Sequence, residues 1–230
     1  MLKFPIKAVL FDCDGTLVDD LKEHHRIWPK IFREFKLGRF NTRAGRSVGD
    51  FLKRSGLSSI EIRKFWKRFN SLEFDMSPKA FRGVNQLLKI FKKKKILIAI
   101  VTNRPTVFNY LSFLIQAGLD ISLVDYFVNH DSTPSLVKLC PNQFSASAGK
   151  PHSEILKPII KILKKLPGFP ESVLMVGDSW ADLHLAQNCH FQFAGVMSGS
   201  MKTLKGWKAF GLRDQDVIFK EVSGLIKLFK

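Results

Sequence analysis

Three short apolar runs constrain this chain more than any other feature: Ile6 to Phe11, Ile96 to Val101 and Ser172 to Val176. They are rich in β-branched residues, too short for helices, and apolar at successive positions rather than alternate ones. Such a run reads as a strand buried on both faces. Each stops at a polar cluster: Asp12-Cys13-Asp14-Gly15-Thr16, then Thr102-Asn103, then Gly177-Asp178-Ser179. Weaker strand candidates lie at Leu123 to Val128, Phe191 to Val196 and Asp216 to Phe219.

Helical spacing fills the intervals. Val84, Leu87, Leu88 and Phe91 share one helical face, and Phe108, Leu111, Leu114 and Ile115 share another. Pro151 suits a first helical turn, with Ile155, Ile159, Ile162 and Leu163 as the apolar face and a kink at Pro158. Leu183, Leu185 and Ala186 suggest a further helix. Strands alternating with helices imply right-handed crossovers, hence an α/β fold with a doubly wound, mainly parallel sheet.

From residue 19 to about residue 80 the alternation stops. Bulky residues such as Ile27, Trp28, Ile31, Phe32, Phe51, Leu52, Phe65, Trp66 and Phe69 recur there without a strand-like run. Ser58 and Glu61 have capping-box spacing, and Pro29 predicts a kink or restart in the first helix. The division expected is a core of residues 1–18 and 80–230 with a small α-helical insert at 19–79. Trp28 and Trp66 are read as core of that insert rather than as a substrate platform.

Composition narrows the class. With 45% apolar residues in 230, the chain can bury a core of ordinary size. No apolar run approaches the roughly 18 residues that span a bilayer, so a membrane partner is not expected. Cys13, Cys140 and Cys189 form no disulfide framework, which favours a reducing cytoplasm. The six histidines lack zinc-ligand spacing. The net charge of +17 sits largely in solvated lysine stretches such as Lys92 to Lys95, and no nucleic-acid-binding signature accompanies it. Nucleic acid is therefore disfavoured as a partner.

In doubly wound sheets ligands bind beyond the carboxyl ends of the strands. Four carboxylates, Asp12, Asp14, Asp178 and Asp182, fall at or one helical turn beyond those ends. They would repel one another without a cation among them, and an oxygen-only ligand set suits Mg2+.

Asp12-Cys13-Asp14-Gly15-Thr16 resembles the D-x-D-G-T signature of the haloacid dehalogenase superfamily. Thr102-Asn103 resembles its second motif, Gly149-Lys150-Pro151 its third (a lysine at a helix start), and Gly177-Asp178-Ser179-Trp180-Ala181-Asp182 its fourth. The four occur in family order, and the helical insert falls where that family places a cap. The spacing before Lys150 departs from the pattern: residues 129–149 read as a loop insertion, with Lys138 as a rival lysine.

The resemblance implies a phosphatase of the phosphoglycolate phosphatase and β-phosphoglucomutase-like kind, acting on a small phosphorylated metabolite as a monomer or homodimer. Asp12 would be the nucleophile that forms an aspartyl-phosphate, and Asp14 the general acid and base. Mg2+ would be held by Asp12, the main-chain carbonyl of Asp14, and Asp178. Gly15, Thr102, Asn103 and Lys150 would bind the phosphoryl group. Asp182 would orient Lys150 or a metal-bound water, with Ser179 beside it. In the insert, Arg46 and, more weakly, Arg43 would set substrate specificity. Cys13 is read as passive packing. The same residues also suit a phosphomutase, or a basic binding protein that has lost turnover. Dehalogenation is disfavoured, because relatives with that activity lack an acid at the Asp14 position, and nothing marks Lys53 as a Schiff-base lysine for phosphonate cleavage.

Overall fold

A computed structural model of the chain describes residues 5–38, 48–74, 77–104, 110–130, 143–146 and 148–229. Arg43, Arg46, Phe108, Lys138 and Cys140 lie outside these. The strands in chain order are β1 (Ala8–Phe11), β2 (Val18–Asp19), β3 (Lys79–Ala80), β4 (Leu97–Thr102), β5 (Tyr126–His130), β6 (Gln143–Ala146), β7 (Val173–Gly177), β8 (Gln192–Val196) and β9 (Val217–Phe219). The helices are α1 (Leu21–Glu34), α2 (Val48–Arg54), α3 (Ser59–Phe74), α4 (Val84–Lys93), α5 (Tyr110–Gln116), α6 (Ile160–Leu163), α7 (Trp180–Asn188), α8 (Leu204–Ala209) and α9 (Ile226–Phe229).

Among the described residues, seven strands form one sheet in the order β6-β5-β4-β1-β7-β8-β9, and every neighbouring pair is parallel. β2 and β3 make a separate antiparallel pair. The three strong apolar runs are the three central strands, as double-sided burial requires. Side chains alternate across the sheet. Val9, Phe11, Ile98, Ile100, Leu174 and Val176 enter the core beneath α4 and α5. Ala8, Leu10, Ala99, Val101, Val173 and Met175 enter the opposite core, with Ile155, Leu183 and the fully buried Trp207. Both faces being apolar explains why these strands show no alternating pattern in the sequence.

The chain divides into two compact units, residues 1–19 with 79–230 and residues 20–78. The smaller is helical, with its own core of Ile27, Ile31, Phe32, Leu52, Phe65 and Phe69. Trp28 stacks on Phe69 at a centroid distance of 4.3 Å, and Trp66 packs against the same core. The capping box forms as expected: the Ser58 main-chain N–H donates to Glu61 Oε2 at 2.8 Å and the Glu61 N–H donates to Ser58 Oγ at 3.3 Å. Pro29 does not restart α1, which runs unbroken through it. The buried Ile27, Ile31 and Phe32 anchor the helix on both sides of the missing donor.

Other departures have local causes. Residues 129–149 are not all loop: the end of β5 and all of β6 lie within them, the latter paired parallel to β5. Its sequence, Gln-Phe-Ser-Ala, is short and half polar, as edge strands often are. β5 starts later than Leu123, because Ile121–Leu123 forms a 3-10 turn capped by Asp120. No α-helix begins at Lys150. Pro151 lies in a turn before a 3-10 segment, Ser153–Leu156, and Pro158 separates that segment from α6 instead of kinking one helix. Ile155, Ile159 and Leu163 are buried as expected, while Ile162 is only partly covered. On α5, Tyr110 and Phe113 join Leu111 and Leu114 in the core, and Ile115 is exposed.

Candidate active site

In a parallel sheet all carboxyl ends share one rim. β1 delivers Asp12 to that rim, β4 delivers Thr102, β5 delivers Asn129 and β7 delivers Asp178. The Asp12 main-chain N–H continues the ladder by donating to Val176 O at 2.8 Å, so the first aspartate is fixed by the sheet itself.

Lys150 is the hub. Its Nζ donates to Asp12 Oδ1 and to Asp182 Oδ1, both at 2.6 Å. Asp12, Asp178, Asp182 and Lys150 are all buried. One carboxylate oxygen from each of Asp12, Asp178 and Asp182 lies within 4.8 Å of the others. With all three buried carboxyls ionised, one ammonium leaves two negative charges, the deficit that one divalent cation balances. That charge count and the hard oxygen donors fit Mg2+. Asp182 commits Oδ1 to Lys150 and Oδ2 to the Ser179 N–H at 3.0 Å and the Ser179 hydroxyl at 2.6 Å. Asp12 and Asp178 are therefore the pair that would face an ion.

The titration behaviour follows from burial. Burial pushes the Asp12 carboxyl well above the usual carboxylate range, and Asp182 and Asp178 add to it while Lys150 opposes. Asp178 is pushed up to about 6 by burial and then by Asp182. Burial works against the Lys150 ammonium, but Asp12 and Asp182 outweigh it, and the group is held above the ordinary lysine value.

Loops of small residues frame these acids. Gly15 has φ +74°, and a Cβ there would lie 2.7 Å from Gly199 Cα and 2.8 Å from Asp178 Oδ2. At Gly199 a Cβ would fall 1.9 Å from Asp178 Oδ2. The Ser200 N–H donates to that same Asp178 oxygen, and the Ser198 hydroxyl donates to Gly15 O at 2.7 Å. Residues 198–200 thus fix Asp178 and the turn after Asp14. They carry no motif in the sequence, because Ser200 acts through its main-chain N–H, Gly199 through the absence of a side chain and Ser198 through a single hydroxyl, although they follow a strand end like the other motifs.

Thr102 and Asn103 are present with different duties. Thr102 Oγ1 accepts from the Arg104 N–H at 3.1 Å, which directs its own hydroxyl hydrogen elsewhere. The Asn103 side chain grips the Lys150 main chain reciprocally, accepting from its N–H at 2.6 Å and donating to its carbonyl at 3.0 Å. This pairing seats Lys150 without the helix start expected for it. The Asp14 carboxylate stands apart from the other acids. It takes a two-point contact from Arg104, Nη2 to Oδ1 at 2.7 Å and Nε to Oδ2 at 3.2 Å. Arg104 carries no signal in the sequence, since nothing in its own neighbourhood distinguishes a buried arginine from an exposed one.

The family model for haloacid dehalogenase-like hydrolases matches residues 6–190, a span that contains Asp12, Asp14, Thr102, Lys150, Asp178 and Asp182. The chain belongs to that family. It is 25% identical over 228 residues to the Oceanobacillus iheyensis protein named pyrophosphatase PpaX, covering 97% of this chain and 96% of that one. Its fold is similar to that of a hydrolase from Pseudomonas syringae, with a TM-score of 0.71 at 18% identity over 96% of this chain and 97% of the other. It is also similar to a protein from Haemophilus somnus 129PT described as a predicted phosphoglycolate phosphatase, with a TM-score of 0.68 at 20% identity and 98% of both chains covered. As a hydrolase of this family, the protein is an enzyme on an α/β sheet. Among its described residues, no helix is long and apolar enough to cross a membrane.

Proposed function

We propose that this hydrolase is a Mg2+-dependent phosphatase that transfers a phosphoryl group from a small phosphorylated metabolite to Asp12 and then to water. The observation that carries the reading is the buried cluster of Asp12, Asp178 and Asp182 around Lys150 at the carboxyl rim of the sheet.

Phosphate monoesters hydrolyse so slowly unaided that rate enhancements approach roughly 10²¹. One group cannot supply that, and each residue here has a separate part. An Asp12 oxygen forms a bond to phosphorus as the ester P–O bond breaks. Asp14 gives a proton to the departing oxygen, then takes one from the water that opens the aspartyl-phosphate. Lys150 and the Thr102 hydroxyl stabilise the negative charge on the phosphoryl oxygens. Asp182 keeps Lys150 aimed at Asp12. Mg2+, held by Asp12, the Asp14 carbonyl and Asp178, would supply charge neutralisation between the anionic nucleophile and the anionic phosphoryl group. The helical unit of residues 20–78 would serve as a cap that excludes water and sets specificity, with Arg46 and Arg43 as its candidate contacts. The relatives' names make inorganic pyrophosphate and phosphoglycolate the first compounds to assay.

Asp12→Asn tests the reading. Turnover of every accepted substrate falls by about 10⁴-fold or more, the far-ultraviolet circular dichroism is retained, and no acid-stable phosphoenzyme can be trapped from the variant. Residual turnover within about 10-fold of wild type would place the nucleophile elsewhere.

A further inference from the structure

Two aspartates separated by one residue leave β1, yet their carboxylates go to different cations. Asp12 turns to Lys150, while Asp14 is drawn to Arg104. Arg104 is 8% exposed and restrained at every end. Its N–H donates to Thr102 Oγ1, its carbonyl accepts from Asn129 Nδ2 at 3.3 Å, and its guanidinium lies 4.1 Å over the Phe113 ring. Asn129 is itself fully buried at the end of β5. A planar fork held this way fixes the plane of the carboxylate it meets, which a lysine cannot do.

We propose that Arg104, backed by Asn129 and Phe113, is a positioning residue that sets the orientation of the Asp14 carboxylate toward the leaving-group oxygen. The inference rests on the reading of Asp14 as the group that protonates the leaving oxygen. Its role matters most for substrates whose leaving group cannot depart as an anion, such as alkyl and sugar phosphates. An aryl phosphate with a strongly acidic phenol needs little protonation and depends little on where Asp14 points. Arg104 therefore widens the enzyme's range toward poor leaving groups rather than helping all substrates alike.

The test is a leaving-group series: 2,4-dinitrophenyl phosphate, phenyl phosphate and an alkyl phosphate, assayed in saturating Mg2+. Wild type, Arg104→Met, Arg104→Lys, Asp14→Asn and the Arg104→Met/Asp14→Asn double variant are compared by kcat/KM. General acid catalysis contributes about 10²–10⁴-fold, so Arg104→Met is expected to lose about 100-fold on the alkyl ester and less than about 5-fold on the dinitrophenyl ester. The loss falls in kcat more than in KM, Arg104→Lys recovers part of it, and Arg104→Met adds no further loss on the Asp14→Asn background. An equal loss across the series, a rise in KM alone, or additive losses in the double variant would overturn the proposal. If Asp14→Asn itself shows no dependence on leaving group, the acid role of Asp14 fails and the inference fails with it. If Asp14→Asn shows the dependence and Arg104→Met does not, only the role of Arg104 is refuted. Should Arg104→Met not fold, Arg104→Lys keeps the charge while losing the fork and carries the same comparison.

Discussion

The helical unit and the sheet unit each hold opposite charges together, in contrasting ways. On the helical unit Arg68 forks onto Glu34, Nε to Oε2 at 2.8 Å and Nη2 to Oε1 at 3.0 Å, with side chains 41% and 35% exposed. On the sheet unit Lys150 reaches Asp12 and Asp182 at 2.6 Å with all three side chains nearly or wholly covered. The surface pair is balanced, keeps its water and ties α1 to α3 at little gain or cost. The buried group is unbalanced, and desolvation of its charges rivals their attraction. A fold gains nothing from gathering three acids around one lysine beside a chain turn that only glycine fits. The difference between the two regions is that one ionic contact is compatible with structure alone and the other is not.

Removing the divalent cation should break this contrast most severely. EDTA is expected to cut phosphatase activity by more than about 100-fold and Mg2+ to restore it, as followed by phosphate release. Activity indifferent to chelation would mean the negative charge is balanced some other way. Next in size is Asp182→Ala, which leaves Lys150 short of a partner and strips the Ser179 cap. It is expected to destabilise the protein by about 3 kcal/mol in urea titration, with turnover falling alongside. A change below about 1 kcal/mol would show that the lysine is held well enough by Asn103 and Asp12.

A smaller effect follows from Asp178. Its carboxyl is raised in the folded state, from an ordinary 3.8 to about 6, so the folded protein holds this proton more tightly than the unfolded chain. The stability it contributes is complete below about pH 4 and is lost as pH rises through about 6. Metal-free protein should therefore lose about 1 kcal/mol, or roughly 3 °C in Tm, between pH 5 and pH 7 from this group. The loss should shrink in Asp178→Asn and be reversed by Mg2+ at pH 7. A melting temperature that climbs over that interval by the same amount in both proteins would remove Asp178 from the explanation. Smallest of all, Arg68→Ala should change stability by about 0.5 kcal/mol or less and leave turnover alone. A larger loss would erase the distinction between the two regions.

The same contrast explains what could be read in the sequence. The central strands were legible because burial on both faces forces a continuous apolar run, and a run that halts at Asp12, Thr102 or Gly177 marks the rim. α4 is legible from Val84, Leu87, Leu88 and Phe91, since one apolar face must meet the sheet, and α7 from the apolar Leu183, Leu185 and Ala186, which are buried on more than one side of the helix. β6 was missed because four edge residues, two of them polar, carry almost no strand signal. The seating of Lys150 was misjudged because a proline can open a helix or a turn, and here the Asn103 side chain decides. Arg104 was invisible for a different reason: its partner lies ninety positions away, and propensity and spacing do not report such a distance. In the helical unit the aromatic clustering is legible, but Pro29, which predicts a kink or restart, does not restart a helix anchored on both sides of it.

The shared register of β1, β4 and β7 has a consequence for any mutational survey. Phe11 pairs with Ile100 on one side and Val176 on the other, immediately beneath the reacting groups. Side-chain volume lost from any of these three would tilt the groups above it before it unfolded anything. A screen scored by activity alone would therefore rank such hydrocarbon positions beside the aspartates themselves, and only a parallel measure of folded protein would tell the floor of the site from its chemistry.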